Sequence, residues 1–208
     1  MLKITRSPTV LQYRALGAGL YAPKRFTAVF EGNDWLTVAV RVSLTAEWNH
    51  DLFEYTVTQL VVDEIPGGDR VTSEVIREIP VGLLLRKATL RAILRGPHRT
   101  PPIFRLSIDV SDDEIERMVR QGPKPETLRL VAHFYTVAKI IGLPPADFVT
   151  RHLSLKPRTA SYWIKLARER GYLKLDALPE LRGKETELEF DELQRDGEDL
   201  SVGFESPR

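Results

Sequence analysis

The apolar positions change period along the chain. Phe26-Thr-Ala-Val-Phe30 and Trp35-Leu-Thr-Val-Ala-Val-Arg-Val42 are rich in β-branched and aromatic residues, with Gly32-Asn33-Asp34 between them. This pattern predicts two strands joined as a hairpin. Tyr55-Thr-Val-Thr-Gln-Leu-Val-Val62 predicts a further strand, ended by the turn residues Pro66-Gly67-Gly68-Asp69. The period then becomes helical. Thr72 or Ser73 can cap a short helix through Ile79, and Pro80 can open a second, VGLLLRKATLRAILR, that stops at Gly96-Pro97. Leu83, Leu84, Ala88, Leu90 and Ile93 supply its expected inward face. Mostly antiparallel strands followed by a packing helix predict a small α+β domain.

Residues 96–102, GPHRTPP, read as a loop, and Ile103–Val110 as one more strand. Ser111-Asp-Asp-Glu114 matches a capping box, so a helix should run to about Gln121. Gly122-Pro-Lys-Pro125 is the best linker candidate. Beyond it, Leu128, Val131, Phe134, Tyr135, Ala138 and Ile141 recur at three- and four-residue steps in a helix that Pro125 opens and Gly142 closes. A shorter helix over Ala146–Leu153 turns Phe148, Val149 and Leu153 inward. Ser154-Leu155-Lys156 connects it to a third helix, from Pro157 to a left-handed stop at Gly171. The expected organisation is an α+β domain over 1–121 that oligomerises or holds a partner, a trihelical domain over 125–174 and an acidic tail over 175–208.

The third helix separates into two faces. Ala160, Trp163, Ile164 and Ala167 follow the i, i+3, i+4, i+7 rule and form the inward stripe. Arg158, Ser161, Tyr162, Lys165 and Arg168 or Glu169 share the other side, with Thr159 near the N-terminal end. Two helices joined by a three-residue turn, preceded by a third with a strong apolar stripe, fit a helix-turn-helix. In that reading Arg158 can contact guanine O6 and N7 in a two-pronged way, and Thr159, Ser161 and Tyr162 can touch bases or phosphates. Lys156, Lys165, Arg168 and Arg170 suit phosphates, as do Arg151 and His152 on the preceding helix. The competing reading is an amphipathic helix that only closes a core, or packs a protein-interaction module without DNA.

Charge changes this picture. The net charge is +1, yet residues 124–174 hold ten Lys/Arg against three Asp/Glu, and residues 175–208 hold four against eleven. A basic segment followed by an acidic one points to a polyanion partner, here double-stranded DNA. The tail can fold over the basic helix and compete with DNA, or stay solvated; Phe190, Leu193, Leu200 and Phe204 interleave with its charges. The 42% apolar and 28% charged composition is that of an ordinary globular protein, and no apolar run approaches the ~20 residues of a membrane span. The chain starts MLKITRSPTV, without the apolar block of a secretory signal, and has no cysteine. Together these lead us to expect a cytoplasmic protein without disulfides.

Residues 125–174 also resemble the C-terminal helix-turn-helix of small, mostly uncharacterised proteins from actinobacteria and their phages and mobile elements. The residues that carry the resemblance are Thr159-Ala160, Trp163-Ile164, Ala167-Arg168 and Gly171-Tyr-Leu173, and the segment from Thr72 to Val81 is similar to one preceding the motif in that group. The resemblance implies DNA binding in a regulatory or phage-related setting, as a transcriptional regulator or an accessory DNA-binding factor. This chain departs from the pattern in having Ser154 where glycine is frequent in the turn, and Lys156 where Ser or Thr often caps the recognition helix. A homodimer is compatible with such a role.

Little points to catalysis or to a cofactor. His50, His98, His133 and His152 lack metal-ligand spacing, and Asp109, Asp112, Asp113 and Glu114 are accounted for by capping at a helix start. No GxSxG or phosphate-loop signature is present. The expectation is a non-enzymatic protein that binds neither metal nor cofactor.

Overall fold

Alternation builds the first sheet. In β4 (Arg25–Glu31) Phe26, Ala28 and Phe30 are buried while Thr27 and Val29 are less so. β5 (Val40–Asn49) pairs antiparallel with β4, from Glu31 opposite Arg41 to Arg25 opposite Glu47. β6 (Glu54–Glu64) lies beyond β5, and β1 (Leu2–Thr5) lies beyond β4, giving the order β1-β4-β5-β6. The computed structural model from which this architecture is read describes residues 2–5, 12–31, 35–95, 105–106, 110–173 and 186–187.

The strand expected over Trp35–Val42 begins only at Val40. Trp35–Ala39 is a bent segment that buries Leu36 and Val38, and hydrogen bonds to Asp69 hold its end. Ala39 N–H donates to the Asp69 carboxylate (2.7 Å) and Asp69 N–H to the Ala39 carbonyl (3.0 Å). These contacts take the backbone groups that a strand ladder would have used. The expected turn at Gly32–Asp34 lies outside the described residues.

A second sheet went unread in the sequence. β2 (Gln12–Gly17) and β3 (Leu20–Pro23) form a tight hairpin whose two turn residues, Ala18 and Gly19, have φ of 51° and 73°. Positive φ at both positions suits the right-handed twist of the flanking strands. β3 also pairs with β7 (Leu94–Arg95), β7 with β8 (Arg105–Leu106), and β2 with β9 (Thr186–Glu187). The expected strand over Ile103–Val110 is described as a strand only at Arg105–Leu106. Of the acidic tail, only Thr186 and Glu187 are described, opposite Tyr13 and Gln12.

Six helices are described. α1 (Ser73–Glu78) is capped by Thr72, whose hydroxyl accepts from Val75 N–H. α2 (Val81–Ala92) buries Leu84, Ala88 and Ala92 at i, i+4 spacing, while Leu83, expected inward, is exposed about 100° away around the axis. The helix also stops at Ala92 and does not run to Arg95, because Leu94 and Arg95 pair with Tyr21 and Leu20 in the second sheet. α3 (Asp112–Arg120) starts as expected, with the Ser111 hydroxyl accepting from Glu114 N–H (3.3 Å), and the Glu114 carboxylate lies 3.6 Å from Arg95.

α4 (Pro125–Ile140) is buried on nearly every side, including Thr127, His133 and Thr136. A helix apolar all round has neighbours all round, and α4 packs against β6 and α3 as well as against α5 (Pro145–His152) and α6 (Pro157–Glu169). The turn read as a linker is tied down: the Thr127 hydroxyl donates to the Met118 carbonyl (2.9 Å) and the Arg170 guanidinium to the Pro123 carbonyl (3.3 Å). Arg86 on α2 donates to the Ile141 carbonyl (3.1 Å), where cationic charge suits a helix C-terminus. Buried residues from the sheets and from α4–α6 form one contiguous cluster. The fold is α+β, with two antiparallel sheets and six helices among the described residues. No helix among the described residues is long and apolar enough to cross a membrane.

Candidate nucleic-acid interface

The basic surface is set by how α5 hands over to α6. α5 ends at His152, Leu153 is buried beneath the turn, and Ser154 adopts φ 49°. That left-handed conformation costs a non-glycine residue about 1–2 kcal/mol, and here it brings Leu155 N–H onto the Thr150 carbonyl (3.0 Å). Ser154 thus occupies the conformation that glycine favours. α6 begins at Pro157 with no side-chain cap from Lys156, and proline's fixed φ suits this first position. The helix closes at Gly171, φ 74°, with Gly171 and Tyr172 N–H returning to the Arg168 and Ala167 carbonyls.

Ala160, Trp163, Ile164 and Ala167 are buried against α4 and α5. On the other side Arg158, Ser161, Tyr162, Lys165 and Arg168 are exposed, and Thr159 is half-buried. Tyr162, 56% exposed, is one of the few large exposed aromatics or aliphatics of the described chain. Lys156 in the turn and Arg151 at the end of α5 are exposed as well. The structure therefore leaves Arg151, Lys156, Arg158, Ser161, Tyr162, Lys165 and Arg168 open to solvent on consecutive elements.

Three side chains differ from expectation. Lys165 is 3.7 Å from the Glu169 carboxylate one turn on, so part of its field is spent within the helix. Arg170, expected to suit phosphates, turns back to the Pro123 carbonyl. His152 reaches solvent as a residue, but its ring stacks on Phe148 (centroids 3.8 Å, 23°) and lies 5.2 Å from Phe134. Desolvation of that ring lowers its pKa below the ordinary 6.5, against the raising effect of a 2.9 Å hydrogen bond to the Phe148 carbonyl; neighbouring Arg151 lowers it further. His152 is therefore neutral at pH 7 and lacks the charge a phosphate contact by imidazolium needs.

Sequence periodicity gave no sign of the Arg170 and His152 contacts. For Lys165, Glu169 at i+4 was a readable signal, since that spacing favours an ion pair on a helix. His133, also on α4, is buried against Phe134. Among the described residues no group of three or more His, Cys, Asp or Glu could hold a metal ion. Comparisons with protein families, with curated proteins and with solved structures find no match to this chain.

Proposed function

We propose that α4–α6 form a trihelical helix-turn-helix and that the protein binds double-stranded DNA with α6 in the major groove. The observation that carries the reading is the division of α6. Its apolar stripe is buried, while Arg158, Ser161, Tyr162, Lys165 and Arg168 stay exposed beside Lys156 and Arg151. A helix whose sole task was to close the core has no need of a basic outer face with hydroxyls at this position. Arg158, one residue inside the N-terminal end, is the base reader, through a bidentate contact to guanine. Tyr162, one turn on, presents an apolar ring edge and a hydroxyl to the same groove. Lys156, Arg151, Lys165 and Arg168 contact phosphates and set register. The role that fits is regulation of transcription, or an accessory part in the DNA transactions of a phage or mobile element.

The test is selection of bound duplexes from a random pool, followed by two variants on the selected site and on random DNA. Arg158→Ala is expected to weaken the selected site by about 1–3 kcal/mol and random DNA less. Lys156→Ala is expected to weaken both alike. No retardation of any duplex in low salt would remove the reading in favour of a protein-interaction module.

A further inference from the structure

We propose that β6 is a dimerisation edge, pairing antiparallel with β6 of a second copy about a two-fold axis at Val61. β6 is eleven residues long, and among the described residues it pairs with β5 alone. Long open edges offer unpaired N–H and C=O groups to other chains, and soluble proteins usually blunt them with lysine, proline or a covering element. Tyr55–Val62 contains no charge, no proline and no glycine. Its one irregularity is a bulge at Thr58, where Val57 and Gln59 oppose Ala46 and Thr45, which leaves Gln59–Glu64 as the regular stretch that can extend the sheet. The apolar side chains there are also incompletely covered. Leu60 and Val62 are half-buried, and Val61 is 37% exposed.

The occupant is argued from the strand's own sequence. Antiparallel pairing about Val61 keeps residues on their proper faces, since directly opposed residues share a face. Val61 then meets Val61 of the second copy, and Leu60 meets Val62, closing an apolar strip along the edge. Asp63 comes opposite Gln59, whose amide can donate, while Glu64 already accepts from Val71 N–H (3.1 Å) and falls opposite the bulge. Asp63 thus meets a donor, and no carboxylate meets another carboxylate. Such self-complementarity is what an isologous two-fold interface requires. The result is one eight-stranded sheet across two protomers, on a surface apart from α6, so this inference does not depend on DNA binding.

The absence of cysteine makes the test clean. The wild-type chain is weighed by light scattering on a sizing column without DNA, and the expected mass is twice the 23.7 kDa of one chain. Val61→Lys places two like charges in direct opposition and is expected to raise the dimer dissociation constant at least about tenfold, with unchanged circular dichroism. Val61→Cys is expected to form a disulfide-linked dimer under mild oxidation. Leu52→Cys, at an exposed position outside β6, serves as control and is expected to stay largely unlinked. A wild-type monomer up to about 100 µM, some hundredfold above a micromolar dissociation constant, overturns the proposal. So does a dimer that Val61→Lys leaves intact, or crosslinking of Val61→Cys no greater than that of Leu52→Cys. A dimer without DNA affinity would remove only the reading of α6, and a monomer that binds duplex only the reading of β6.

Discussion

The proposed DNA binding implies a salt dependence that can be worked from the side chains now placed. Arg170 turns towards the Pro123 carbonyl and the His152 ring is neutral, so neither is assigned to a phosphate. Arg158 is assigned to a base. Arg151, Lys156, Lys165 and Arg168 remain as exposed cations for phosphates. Four such contacts give a slope of about −3.6 in log affinity against log salt, at about −0.9 per phosphate neutralised on B-form DNA. Between 50 and 200 mM salt, a single protomer on a half-site duplex should therefore lose about 150-fold in affinity. Lys156→Ala should lower the slope to about −2.7 and the loss to about 40-fold over the same range. Fluorescence anisotropy with a labelled half-site duplex measures both. A wild-type slope near zero, or one that Lys156→Ala leaves unchanged, would refute the assignment of these side chains to the phosphate backbone.

The remaining predictions concern contacts that only the structure reveals. Glu169→Gln frees Lys165 and removes a carboxylate from the outer face, so affinity for random duplex should rise and the salt slope steepen; equal affinity in the same anisotropy assay would deny Glu169 this restraining effect. At Gly68 a Cβ would overlap the Ala39 carbonyl oxygen and lie 2.6 Å from Ile65 Cγ1, so Gly68→Ala should cost about 1–3 kcal/mol in urea unfolding. Full wild-type stability would mean that the loop is not so close. For His152 the sign follows from a lowered folded-state pKa. The unfolded chain takes up the proton near 6.5 while the folded ring resists it, so stability falls as pH drops from about 6.5 through the lowered value and levels off below. An NMR titration of His152 with a midpoint at or above 6.5 contradicts that stacking.

The helical half was legible because its punctuation is strong. Ser111 caps α3, Pro125 and Pro157 open α4 and α6, and Gly142 and Gly171 end helices with positive φ. Ser154, which adopts the left-handed conformation, stands where the resembled motif often has glycine. The β-rich half was harder for identifiable reasons. The hairpin signal in Gly17-Ala18-Gly19 is short, and the strands around it are only six and four residues long. Trp35–Val38 has the composition of a strand, but hydrogen bonds from Asp69, thirty residues away, bend its end. Leu94 and Arg95 continue a helical period, yet pairing with β3 draws them away. At the candidate interface, periodicity assigned the inward and outward faces of α6. It said nothing of Arg170 or the His152 ring, whose partners depend on tertiary placement.

Arg86 and the encased α4 also bear on the proposed dimer and the proposed DNA binding, taken together. Because α4 packs on β6 from one side and carries α5 and α6 on another, the reach between two α6 helices joined through β6 is fixed by side-chain packing and not by linker length. A dimer of the proposed kind would work as a caliper. It would accept half-sites at one separation and lose affinity steeply when a few base pairs are inserted between them, where a protein with tethered heads would tolerate the change.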